Sequence, residues 1–180
     1  MQQLADTSPC IVVANHSSYL DALILTAVLP PRFAFVAKQE LLDRSRTSLP
    51  LRRLDSAFVE RFDSTRGVED VQALEERVRN GDSLVFFPEG TFRAQPGLLP
   101  FRIGAFTVAA HAGLTVVPVT LNGTRTLLRG EALHPHFSRL QVWVNPPLRA
   151  QGTDWQAALQ LRDAARSQIL SRLQESDLSG

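Results

Sequence analysis

His16 and Asp21 stand five residues apart in Asn15-His16-Ser17-Ser18-Tyr19-Leu20-Asp21, directly after the first β-branched run of the chain. If a strand ends near Asn15 and a helix starts at Ser18, His16 lies in the turn and Asp21 in the first helical turn. The carboxylate can then curl back to the imidazole. An acid on one ring nitrogen fixes the tautomer and supports the imidazolium, which leaves the other nitrogen free as a general base. The same residues also read as a helix start, with Ser18 as cap and Asp21 near the positive helix end. Both readings fit in one turn.

A second constellation, Phe86-Phe87-Pro88-Glu89-Gly90-Thr91-Phe92-Arg93, closes a later apolar run. It gathers a carboxylate, a permissive backbone and a hydroxyl. Gly90 allows a ligand close to the chain, and Thr91 with neighbouring N–H groups can meet phosphate or hydroxyl oxygens. Taken singly it is an ordinary strand-to-loop turn. It gains weight if it lies beside the His16 turn, because open α/β sheets collect ligands at their strand ends.

The elements that must position these turns are legible as alternating runs. Strands are expected at 11–13, 33–37, 57–59, 83–87, 115–121 and 140–144. Helices are expected at 18–28, along the stripe Val68, Val71, Leu74 and Val78 with Gly81 as its stop, and at 102–112 ahead of Gly113. A last helix, about 153–174, opens on a capping box of Thr153 and Gln156, with a stripe of Trp155, Leu159, Arg162, Ile169 and Leu173. The expected fold class is α/β: a single three-layer domain over residues 1–180, with a mostly parallel central sheet of about six strands flanked by helices. Pro118 inside a strand pattern implies an edge position or a bulge. The tail after Gln174 is expected to fray.

Composition narrows the function classes. Hydrophobic residues are 44% and charged residues 21%, which suits an ordinary globular chain. A net charge of +1 argues against bulk nucleic-acid binding. Lys38 is the sole lysine among nineteen basic residues, and arginine suits bidentate capture of phosphate. Arg44, Arg46, Arg52 and Arg53 form a local basic cluster. The single Cys10 excludes an internal disulfide and argues against a zinc cluster. No signal peptide or membrane-spanning run is read in the chain.

The two constellations together resemble the glycerolipid acyltransferase family that includes lysophosphatidic acid acyltransferases. That family carries Asn-His-x-x-x-x-Asp and, some seventy residues later, Phe-Pro-Glu-Gly-Thr; both blocks occur here in order. Phe58-Val59-Glu60-Arg61 is similar to an intervening block whose Arg contacts the acceptor phosphate, although Glu60 replaces the usual Asp. Val116-Val117-Pro118-Val119 is similar to a block thought to line the acyl or acceptor path, and Lys38 falls in a segment like one near the acceptor. Phe92 departs from the pattern, since many members follow Pro-Glu-Gly-Thr directly with Arg. Arg93 and Arg102 are lesser candidates for phosphate contact. The likeness spans about residues 10–147.

The resemblance implies transfer of a fatty acyl group from acyl-CoA or acyl-carrier protein to the hydroxyl of a lysophospholipid, by default 1-acyl-glycerol-3-phosphate. His16 and Asp21 are the expected catalytic pair. Arg61, Glu89, Gly90, Thr91, Lys38, Arg93, Arg102 and Pro118 are the expected acceptor-side residues. No metal or prosthetic group is expected. The expected partners are lipid, acyl donor and a membrane surface, met peripherally from the cytoplasmic side, by a soluble module or a piece of a longer chain. Two rivals are a hydrolase using Ser17 or Ser18 as nucleophile and a non-catalytic lipid-binding domain of the same fold. His111, His134 and His136 read as surface or packing residues, and Trp143 and Trp155 as core or rim.

Overall fold

The apolar runs become six strands, β1 (Cys10–Ala14), β2 (Phe33–Lys38), β3 (Ala57–Val59), β4 (Ser83–Phe86), β5 (Thr115–Asn122) and β6 (Gln141–Val144). Among the described residues, helices with both ends defined alternate with them: α1 (Asp21–Val28), α2 (Gly104–His111), α3 (Thr124–Leu127) and α4 (Trp155–Arg172); residues 76–79 are helical as well. The computed structural model describes residues 9–30, 33–38, 57–59, 74, 76–93, 95–128 and 136–179. Val68, Val71, Arg61 and the basic cluster at 44–53 lie outside the described residues.

The strands form one sheet in the order β3-β2-β4-β1-β5-β6. The first five are mutually parallel, and β6 runs antiparallel to β5. Side chains alternate across it with period two. Ile11, Val13, Leu84 and Val116 pack against Phe106 of α2, Leu161, Ala165 and Ile169 of α4, and Leu74 and Val78. Cys10, Val12, Val85, Val117 and Val119 pack on the other side with Leu25 of α1. That is the three-layer α/β arrangement the alternation implies.

Of the two alternatives for Pro118 one holds, while the expected cap and stripe of the last helix need correction. Pro118 is not on an edge, because β5 lies between β1 and β6. It sits at a bulge instead: Val119 faces Val144 but Val116 faces Leu148, so Asn145, Pro146 and Pro147 oppose only Val117 and Pro118. Its carbonyl takes the Asn145 N–H at 2.9 Å, and its missing N–H faces the same irregular side, where no ladder bond is lost. The last helix starts at Trp155 and is capped by Asp154, whose side chain accepts the Ala157 N–H, rather than by Thr153. Its buried stripe is Ala157, Ala158, Leu161, Ala165 and Ile169, while Trp155 is 61% exposed. Trp143 is exposed as well, beneath the Arg172 guanidinium, so neither tryptophan is core.

The chain after α4 does not fray. Leu98 donates to the Ser176 carbonyl at 2.8 Å and accepts from the Leu178 N–H at 3.0 Å. The tail is docked beside the loop that follows the Glu89 turn.

Candidate active site

β1 and β4 are adjacent and parallel, with Val13 opposite Phe86, so the turns that leave them emerge side by side. This register brings together residues 73 positions apart: the His16 backbone N–H donates to Glu89 Oε1 at 2.7 Å. Asn15 braces the turn from the other flank. Its amide accepts the Leu121 N–H at 2.7 Å and donates to the Leu121 carbonyl at 2.9 Å, a side chain taking a strand's place beside β5.

The expected pair is formed. His16 Nδ1 lies 2.8 Å from Asp21 Oδ2, and Asp21 is fully buried. The same oxygen accepts the backbone N–H groups of Ser17 at 2.7 Å and Ser18 at 2.9 Å. Asp21 therefore both holds the imidazole and ties up two donors before α1, the second of these from the residue read as a cap. The Ser18 hydroxyl does not cap the helix; it accepts from Leu20 N–H, and the α1 N-cap makes no side-chain bond.

With Nδ1 facing Asp21, the tautomer carries its proton there and Nε2 keeps a lone pair. Nε2 has no hydrogen-bond partner among the described residues. Phe87 stacks on the imidazole, centroids 4.3 Å apart and planes 20° apart, and Phe92 stands nearly perpendicular to it at 4.7 Å. These apolar walls leave the His16 side chain 19% exposed. A base held in one tautomer, in one orientation and open at one nitrogen can take a proton from a bound hydroxyl.

Glu89 is buried, with its second oxygen accepting the Leu99 N–H at 2.8 Å. Burial pushes its carboxyl up to about 7; the two backbone donors and the Arg125 guanidinium pull it down, while Asp21 adds to the rise. Only the ionised form accepts both N–H groups without a proton of its own in the way. Glu89 is thus a brace between two loops.

Gly90 has φ of 70°, in the left-handed region where a side chain is strained. It also makes room for Arg102, whose Nε would lie 2.6 Å from a Cβ there. Arg102 is exposed, and its backbone N–H donates to the Pro88 carbonyl at 2.8 Å. Thr91 is exposed beside it. Arg93 is exposed too, and its carbonyl accepts from Arg125. Pro118 stays within the sheet opposite Val13, one strand from the His16 turn. Lys38 ends β2, with nothing described of its side chain, and Arg61 lies outside the described residues.

The serine rival loses its geometry. The Ser17 hydroxyl is buried and 2.7 Å from the Thr124 hydroxyl, and Ser18 Oγ is bonded to the Leu128 carbonyl and Leu20 N–H. The sequence reading missed Asn15, Phe87, Phe92, Arg125 and Glu175. Phe87 reads as the end of a strand. Arg125 and Glu175 carry no local signal, because they meet only in the fold, at 2.8 and 3.0 Å.

A family model described as Acyltransferase matches residues 1–122. A chloroplastic 1-acyl-sn-glycerol-3-phosphate acyltransferase, BAT2, of Brassica napus is 32% identical over 164 residues, covering 90% of this chain and 46% of that protein. The 1-acyl-sn-glycerol-3-phosphate acyltransferase alpha of Mus musculus is 30% identical over 176 residues, covering 97% and 62%. The chain thus spans about half to two-thirds of the length of these relatives. The crystal structure of the 1-acyl-sn-glycerophosphate (LPA) acyltransferase PlsC from Thermotoga maritima is similar in fold, with a TM-score of 0.71 at 23% identity, covering 90% of this chain and 65% of that one.

Proposed function

The chain belongs to the acyltransferase family, and from that premise we propose that it moves a fatty acyl group from a thioester to the free hydroxyl of a lysophospholipid, 1-acyl-glycerol-3-phosphate being the leading acceptor. The observation that carries the mechanism is the 2.8 Å contact between His16 Nδ1 and buried Asp21, with Nε2 left open. Nε2 takes the proton of the acceptor hydroxyl as its oxygen attacks the thioester carbonyl carbon. Asp21 supports the imidazolium that results. The tetrahedral intermediate collapses, the C–S bond breaks, and the imidazolium returns its proton to the departing thiolate. No acyl-enzyme is formed, in keeping with the engaged hydroxyls of Ser17 and Ser18.

The acceptor phosphate is assigned to Arg61, with Lys38 as a lesser candidate, and with Arg102, packed against Gly90, and Arg93 as further ones. Acyl-CoA and acyl-carrier protein both fit as donors. A membrane surface is the source of the acceptor. Among the described residues no helix is long and apolar enough to cross a bilayer. Tyr19 and Leu23, about half exposed where α1 leaves the His16 turn, offer an apolar approach.

Purified protein given acyl-CoA and 1-acyl-glycerol-3-phosphate should release free CoA and form the diacyl product. His16→Ala should lower that rate by roughly 10²–10⁴-fold. Equal release by His16→Ala sinks the mechanism, and release without the diacyl product revives a hydrolase.

A further inference from the structure

The segment that follows α4 turns back toward the site and is held there at several points. Asn122, at the end of β5, donates to the Arg172 carbonyl at 3.0 Å and accepts the Gln174 N–H at 3.0 Å. Glu175 Oε2 then accepts the Gly97 N–H at 2.7 Å. The same carboxylate receives Arg125 of α3 through Nε at 2.8 Å and Nη2 at 3.0 Å. Ser176 and Leu178 pair with Leu98, and Arg166 joins Asp177 to the Leu98 carbonyl. Gly97, at φ of 142°, is what lets the strands lie this close, since a Cβ there would collide with Leu178.

The next residue is the link to the chemistry. Leu99 N–H is one of the two donors that hold Glu89, and His16 N–H is the other. We propose that residues 174–178 form a strap that positions the Glu89 carboxylate, and through it the His16 turn, with Glu175 as the main positioning residue. Glu175 acts twice. It fixes the 97–99 backbone from behind, and it anchors the guanidinium that favours ionised Glu89.

The titratable and charged groups facing Glu89 are Asp21 and His16 from the turn after β1, Arg125 from α3, and Arg102 across Gly90. Of these, Arg125 is the cation that pulls the Glu89 carboxyl down, and Glu175 is its only side-chain partner among the described residues. Loss of Glu175 leaves Arg125 tethered, among the described residues, only through the Arg93 carbonyl, so the guanidinium swings out to solvent and away from Glu89, and Glu89 then titrates at higher pH. Protonated Glu89 holds the donor on its hydroxyl oxygen more weakly, so the His16 turn loosens.

The kinetic part of this inference rests on the acyl-transfer reading; the structural part does not. Amide hydrogen exchange on the intact chain, wild type against Glu175→Ala, separates the two. The amides of His16 and Leu99, neither of them in contact with Glu175, should exchange roughly tenfold faster in the variant. The acid limb of kcat/KM should move to higher pH, and kcat should fall roughly 10- to 100-fold. Glu175→Gln keeps an oxygen for Gly97 but loses the charge on Arg125; it should shift the acid limb in the same direction by less. Faster exchange confined to Gly97 and Leu98, with an unmoved acid limb, overturns the proposal. Should Glu175→Ala unfold, Glu175→Gln decides alone, and an unmoved limb with unchanged His16 exchange overturns it equally. A wild type that cleaves no thioester ends the acyl-transfer reading, yet leaves the exchange result to judge the strap.

Discussion

At the scale of single residues, two buried carboxylates do different work because their donors differ. Asp21 Oδ2 collects an imidazole and two backbone N–H groups within one turn. Glu89 spans two loops with one donor on each oxygen. For Glu89 burial outweighs those donors and raises the carboxyl from 4.5 to about 7. The folded state therefore binds a proton that the unfolded chain has released between those values. The stabilisation is complete below about 4.5 and is lost as pH rises through about 7. Across that window it amounts to about 3 kcal/mol at most. Urea midpoints at pH 5 and pH 8 should show a gap between wild type and Glu89→Gln that narrows or reverses as pH rises; a gap that does not change with pH would contradict it. His16 and Asp21 were legible in the sequence because a five-residue spacing across a strand-to-helix turn is a local matter. The dual use of Asp21 was legible for the same reason. Glu175 was not, since its partner Gly97 is 78 positions away.

At the scale of elements, the parallel β1–β4 register does what neither turn can do alone. The strands themselves were readable from β-branched runs, and all six begin and end within a residue of expectation, helped by buried parallel strands that leave few polar positions to confuse the pattern. The face of α4 was not. Its buried side is rich in alanine, since close approach to the sheet and α2 favours small residues, while the large Trp155 lies at the rim. Periodicity sought among large apolar residues therefore settles on the wrong stripe. The Pro-Glu-Gly-Thr turn carries its own test. Gly90→Ala should cost about 1–2 kcal/mol from the left-handed backbone alone. It must also displace Arg102, so KM for an anionic acceptor should rise more than kcat falls. Steady-state kinetics with a neutral and an anionic acceptor would check this; equal effects on both would remove Arg102 from the acceptor site.

At the scale of the whole molecule, the sheet separates two packed layers that have different relations to the site. The α2–α4 side is dense, and Ala165 lies fully buried in one cluster with Phe106 and Ala109. Ala165→Leu should overpack it and cost about 1–3 kcal/mol. The expected result is a lower denaturant midpoint with the pH profile of turnover unchanged, the opposite signature to a Glu175 variant. The three-layer architecture was legible from the alternation of strand and helix. The docking of the tail was not, because its hydrogen bonds run to residues distant in sequence and its own composition reads as a frayed end.

That tail has a consequence in time as well as in space. Synthesis is vectorial, and the 86 residues from Glu89 to Glu175 take roughly 4 to 17 s to add at typical elongation rates. Throughout that interval the nascent chain already holds its base and its brace, but the clasp that steadies them has not been made. The His16 turn is thus made well before the clasp that steadies it through Glu89.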